Sequence, residues 1–199
     1  MKNRFRKSIS LFLIGCLLFF ISGCLRLREK SNENITTGNW KENVFTNVWS
    51  DISFTMPSSF ESVDVKELGA PIPGHVYDFF VNDENQKSGI TLYYVDLTYG
   101  QQQNLSLEDY LNEVKSGLLN SPNKDYIFAN GFSSAVIAGE DYLVLRSNYS
   151  FKGSAEKETY YQDGYARKID DAMIIFLTVY SEETKETIDL FLSSISKAN

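Results

Sequence analysis

The chain has 199 residues, of which 43% are hydrophobic and 14% aromatic, and it carries 26 acidic against 19 basic residues. The formal net charge of −7 disfavours nucleic acid as a partner, because binding to phosphates requires clusters of basic side chains. One histidine and two cysteines are too few for a typical zinc site, so we expect no metal and no other cofactor.

Residues 1–23 have the three-part layout of a secretory signal. Basic side chains open the segment, residues 9–21 are almost wholly apolar, and small residues close it before Cys24. The apolar run of 13 residues is shorter than the roughly 20 residues that a membrane-spanning helix needs. We therefore predict a signal peptide over residues 1–23 and a mature chain that begins at Cys24.

The four residues Ile21, Ser22, Gly23 and Cys24 resemble the bacterial lipobox, although Ile21 stands where leucine is commoner. The resemblance implies that Cys24 receives lipid, and that the membrane, contacted through this N-terminal lipid on its extracytoplasmic side, is one partner of the chain. Two or three acyl chains anchor a protein stably, whereas one does not. The mature chain keeps 26 acidic and 15 basic residues, a formal net charge of −11, so we expect anionic lipid to repel its folded part.

Residues 24–43 are mostly polar and show no periodic pattern, which predicts a lipidated cysteine followed by a flexible tether. Trp40 is the one large aromatic residue in this stretch. Its position is compatible both with contact at the membrane interface and with docking on the domain.

From residue 44 onwards the pattern predicts a single folded domain, 44–199. Apolar residues at spacings of 4, 3 and 4 after Ser106 predict a helix, and a second helix is predicted after Ser181. Links of a few residues between strands imply antiparallel neighbours. The fold class is therefore α+β, an antiparallel β-sheet of about six to eight strands layered with helices. The predicted strands cover residues 52–56, 75–81, 90–97, 126–129, 133–138, 142–151, 158–169 and 172–180.

Three segments of this domain resemble the PsbP/Mog1-like domains of bacterial lipoproteins. They are residues 47–57, which end in Pro57, residues 137–145, and the last strand at residues 172–180 with the helix after it. Phe60 stands where those domains usually have tryptophan. The resemblance implies a sheet sandwiched by helices and a binding or assembly module, and it transfers no partner residue by residue.

No residue pattern in the exported part indicates an established type of active site. His75 is the only histidine, and we expect it to be a surface or edge-strand residue rather than a catalytic base. Adjacent acids occur at four places where turns or helix starts are predicted, and a glycosidase would need two such groups across a cleft. These pairs are Asp83/Glu84, Glu108/Asp109, Asp170/Asp171 and Glu182/Glu183.

Tyrosines on the predicted strands are the best candidates for a binding patch. We select Tyr99, Tyr160 and Tyr165 as a candidate patch, against the alternative that the rings pack in the core. The resulting interpretation is a non-enzymatic, membrane-anchored module that binds an unidentified envelope protein or ligand. Two alternatives stay open: an envelope hydrolase that uses paired carboxylates, and an accessory protein for envelope assembly.

Overall fold

The computed structural model describes residues 35–65, 72–85, 87–154 and 158–198. The predicted signal peptide, the lipobox and Cys24 lie outside the described residues. Within the described ranges, no helix is both long and apolar enough to cross a membrane. The helices are α1 (Leu107–Leu119) and α2 (Lys185–Ser194), and the strands are β1 (Asn39–Lys41), β2 (Val44–Asn47), β3 (Ile52–Thr55), β4 (Phe60–Val63), β5 (His75–Asp83), β6 (Gly89–Asp96), β7 (Lys124–Phe128), β8 (Ser133–Ile137), β9 (Glu140–Phe151), β10 (Tyr160–Ile169) and β11 (Ala172–Ser181).

Eight of these strands form one antiparallel sheet in the order β4-β5-β6-β11-β10-β9-β7, with β8 also pairing with β9. The predicted hairpin of β5 and β6 is present, and β10 pairs with β11 along its whole length. The predicted fold class, an α+β domain built on an antiparallel sheet of this size, is confirmed.

The two faces of the main sheet carry separate hydrophobic clusters because side chains alternate along each strand. One face, called the α1 face, packs Tyr93 and Ile175 against Leu111 of α1. The opposite face, called the α2 face, packs Phe176 against Phe191 of α2. The predicted helices are therefore both present, one on each side of the sheet.

Helix α1 begins where the sequence predicts. Ser106 is its N-cap, and the side-chain oxygen of Ser106 accepts a hydrogen bond from the backbone N–H of Asp109 at 3.0 Å. Helix α2 begins one turn later than predicted, because a 3-10 turn over Glu182–Thr184 follows Ser181 first.

A second, three-stranded sheet of β1, β2 and β3 lies on the α2 face, and it corrects the predicted tether. Strand β1 falls inside the range 24–43, so the folded part begins before residue 44. Trp40 of β1 packs against Phe45, Phe54 and Phe79 with ring centroids 5.2, 5.5 and 6.3 Å apart. Trp40 is half-buried and packs against the hydrophobic core of the α2 face.

Candidate functional site

The structure does not bring the three predicted patch residues together. Tyr160 and Tyr165 lie five residues apart on the regular strand β10, so their rings point to opposite faces of the sheet. Both are buried, at 9% and 5% exposure. Tyr99 lies in a 3-10 turn after β6, against Gly74. The predicted patch is therefore wrong, because Tyr160 and Tyr165 point to opposite faces of the sheet and both pack in the core.

His75 opens β5, and its surroundings give no sign of a catalytic base. Its ring stacks on Tyr93 with centroids 5.6 Å apart, and its Nδ1 lies 3.3 Å from the carbonyl oxygen of Pro73. Burial lowers the pKa of His75. Among the described residues, the hydrogen-bond partner of this ring is a carbonyl oxygen, whereas a catalytic triad orients its histidine with a carboxylate.

The four pairs of adjacent acids occupy separate turns and helix starts. Asp83 accepts hydrogen bonds from the backbone N–H of Lys87 at 2.9 Å and from the hydroxyl of Ser88 at 2.7 Å. Asp170 has a left-handed φ of 47° in the turn between β10 and β11. In the part of the chain that the structure describes, no three His, Cys, Asp or Glu side chains are grouped to hold a metal ion.

A half-buried carboxylate, Asp78, joins the small sheet to the main sheet. The register of β5 and β6 shifts at this residue, between Tyr77 and Phe79, and such a bulge re-aims side chains. The Oδ1 atom of Asp78 accepts a hydrogen bond from the backbone N–H of Gly38 at 2.7 Å. The Oδ2 atom accepts from Nδ2 of Asn47 at 2.7 Å and from the hydroxyl of Tyr94 at 2.5 Å.

Burial raises the pKa of Asp78, while the three donors from Tyr94, Asn47 and Gly38 oppose that rise. Nδ2 of Asn47 also donates to the carbonyl oxygen of Thr36 at 2.8 Å. The Asp78 cluster thus fastens the N-terminal segment of the described chain to the α2 face. It is the point at which the chain coming from the predicted anchor enters the domain.

Another carboxylate, that of Asp163 of β10, is buried on the same face. Its Oδ2 atom accepts from Nη1 of Arg146 at 2.9 Å and from the hydroxyl of Tyr180 at 3.1 Å. The Asp163 side chain is 3% exposed and that of Arg146 is 45% exposed. Burial raises the pKa of Asp163, and Arg146 opposes the rise. The guanidinium group therefore covers the acid and presents its own outer edge to solvent.

Neither Asp78 nor Asp163 is among the site residues that the sequence predicts. Asp78 is detectable as a lone acid in an apolar stretch, between Val76 and Val81, and a buried charge requires partners. Asp163 gives a weaker signal, because Gln162 and Gly164 flank it. Both carboxylates are already saturated by donors from their own domain, which favours a structural role over acid–base chemistry.

The fold is similar to the solution structure of cyanobacterial PsbP (CyanoP) from Synechocystis sp. PCC 6803. The identity is 16% and the TM-score 0.53, and the match covers 86% of this chain and 99% of that chain. At this identity the likeness shows the fold alone, a PsbP-like α+β domain.

A second solved structure, LpqN, involved in cell envelope biogenesis of Mycobacterium tuberculosis, has 14% identity and a TM-score of 0.41. That match covers 74% of this chain and 83% of that chain. No family model and no curated protein matches the sequence.

Proposed function

We propose that the chain is a lipid-anchored, non-enzymatic module that binds a partner at the cell envelope, on the extracytoplasmic side of the membrane. The observation that carries the anchor is the sequence Ile21-Ser22-Gly23-Cys24, placed directly after a basic start and an apolar run of residues 9–21. Small residues before a cysteine at the end of such a leader are typical of lipoprotein processing.

The arrangement of the domain behind this cysteine supports the proposal. The backbone N–H of Gly38 is hydrogen-bonded to Asp78 of the main sheet, only fourteen residues after Cys24, so the anchor and the domain are close in sequence. The mature chain has a formal net charge of −11, which repels anionic lipid and favours a partner that is not the lipid surface itself.

Saturated carboxylates support the non-enzymatic part of the proposal. A general acid or base must reach the proton that it transfers in the bound substrate. Asp78 and Asp163, whose pKa values are raised by partial or full burial, instead accept hydrogen bonds that hold strands and the N-terminal segment in place.

The anchor is tested by metabolic labelling of cells with an alkyne-tagged fatty acid. We expect the label to be lost in Cys24→Ser and retained in Cys16→Ser, a matched control because Cys16 lies inside the leader. Mass spectrometry of the mature N-terminus should show a modified Cys24. Label retained in Cys24→Ser, or a mature chain that begins elsewhere, contradicts the anchor.

The binding role is tested by chemical cross-linking of intact cells that carry either the unchanged chain or Cys24→Ser. We expect specific cross-linked products whose recovery falls when the anchor is removed. A second assay tests for hydrolase activity by incubating the purified chain with isolated envelope material. Release of soluble sugars or peptides above that of a heat-inactivated sample contradicts the non-enzymatic assignment and supports a hydrolase.

A further inference from the structure

The outer edge of β8 is open to another strand. Among the described strands, β8 pairs with β9 alone, and the two are joined by Ala138 and Gly139, whose φ angles are 53° and 77°. Two central residues with positive φ are typical of a type I′ hairpin turn. In such a hairpin the residues that flank the turn, Ile137 and Glu140, form a hydrogen-bonded pair.

That pairing fixes which backbone groups of β8 point outwards. Hydrogen-bonded pairs alternate along an antiparallel ladder, so Ser134 and Val136 direct their N–H and C=O groups away from β9. The backbone hydrogen bonds that described residues make outside helices and strand ladders include none from these two residues. Four backbone groups on one short edge are therefore available to a partner strand.

This edge also lacks the usual protection against strand addition. Native edges carry charged residues or proline that discourage pairing. Strands β4 and β7, also at the rim of the sheet, contain Glu61 and the pair Lys124 and Asp125. Residues 129–139 contain no charged residue and no proline, and Val136 is 68% exposed.

We infer that β8 pairs in antiparallel fashion with β8 of a second copy of this chain in the same membrane, an inference that rests on the proposed lipid anchor. The register follows from the outward groups. Ser134 lies opposite Val136 of the second copy and exchanges two hydrogen bonds with it, and symmetry doubles these to four. Ala135 then faces its own symmetry mate as a pair without hydrogen bonds, with Cα atoms about 4.5 Å apart.

A second copy fits this edge better than an unrelated strand. A neutral segment lets two copies of an acidic chain meet without local repulsion, and the same five residues, Ser133–Ile137, are complementary to themselves in this register. The pairing has a twofold axis perpendicular to the sheet. Symmetry places the N-terminal segments of both copies at equal height along that axis, so both anchors reach one membrane that lies perpendicular to it.

The anchor is needed because the contact is small. Stable soluble complexes bury about 1,600 Å², and one five-residue edge buries much less. Confinement of both copies to one membrane raises their effective concentration. Pairing is therefore expected in the membrane and not in dilute solution.

The test is disulfide cross-linking of the full chain in native membranes under mild oxidation. In Ala135→Cys the introduced thiol is the free thiol of the lipidated chain, because lipid occupies Cys24. Two cysteines with Cα atoms about 4.5 Å apart can form a disulfide. Ile127→Cys is the matched control, since Ile127 lies on β7 at the same rim and is 67% exposed. We expect Ala135→Cys to form dimers at least ten-fold faster than Ile127→Cys.

Two further changes in the Ala135→Cys background examine the edge itself. Val136→Lys places like charges at the paired edges and is expected to slow dimer formation at least ten-fold, whereas Val136→Thr keeps a β-branched side chain and should not. Circular dichroism confirms that each chain is folded.

Equal rates for Ala135→Cys and Ile127→Cys in membranes overturn the inference and leave the anchor intact. Cross-linking of Ala135→Cys to a different protein also overturns it, in favour of a foreign strand. A chain absent from the membrane fraction overturns both the anchor and the pairing.

Discussion

Gly164 occupies a regular position in the middle of β10, and replacing it with alanine should stabilise the domain. It pairs with Leu145 of β9 and Leu177 of β11 without any register shift. Its φ lies outside the left-handed region, and a Cβ built on it meets no atom of the described residues within 4 Å. Glycine inside a strand costs about 0.5–1 kcal/mol relative to alanine. We therefore expect Gly164→Ala to raise the free energy of unfolding by about 0.5–1 kcal/mol.

Thermal unfolding followed by circular dichroism measures this effect. For a domain of this size, each kcal/mol moves Tm by about 2–4 °C, so the expected rise is about 1–4 °C. Gly139→Ala is the contrasting control, because Gly139 has a φ of +77° that alanine adopts only with strain. It should lower Tm. A Tm of Gly164→Ala below that of the unchanged chain refutes the reasoning, since it requires a steric or conformational need for glycine that the strand geometry does not show.

Three other changes test the buried contacts. Trp40→Ala should lower the free energy of unfolding by about 2–3 kcal/mol in urea denaturation; no effect means that Trp40 is not part of the core. Arg146→Gln should lower the free energy of unfolding by about 1–2 kcal/mol at pH 7. The loss should become smaller as the pH falls, because burial raises the pKa of Asp163 and protonation removes the charge that Arg146 pairs with. A loss of stability in Arg146→Gln that becomes larger on acidification contradicts the raised pKa of Asp163. The pKa of Asp78 is raised from 3.8, so its folded state binds a proton more tightly than the unfolded chain. The free energy of unfolding of the unchanged chain, measured in urea relative to that of Asp78→Asn, should therefore rise as the pH is lowered from 7 towards 4. A fall over this range would exclude a raised pKa for Asp78.

The long elements were predictable because their periods extend over many residues. Leu107, Leu111, Val114 and Leu118 mark one side of α1, and the links between the later strands are too short for parallel crossovers. Strands β1, β2 and β4 have three or four residues each, too few to show a period. Besides the nearby Phe45, Trp40 packs against Phe54 and Phe79, which lie 14 and 39 residues further along the chain, so its docking on the core could not be predicted from local sequence.

The candidate site was less predictable than the fold. An exposed tyrosine and a buried tyrosine look the same in the sequence. Only the alternation of side chains along β10 shows that Tyr160 and Tyr165 point to opposite faces of the sheet, and it applies only once the strand is known to be regular. Asp78 becomes central only through a bulge that shifts the register of β5. Its partners Gly38 and Asn47 are distant in sequence, at separations of 40 and 31 residues.

The hydrogen bond from Gly38 to Asp78 limits how far the folded domain can lie from Cys24. A tether over residues 24–43 would leave twenty residues between the lipid and the domain, but the backbone N–H of Gly38 is already hydrogen-bonded to Asp78. Fourteen residue steps separate Cys24 from Gly38, and they span at most roughly 46–50 Å in any conformation. If lipid sits on Cys24, Gly38 and the part of the α2 face that holds it lie within that distance of the bilayer surface.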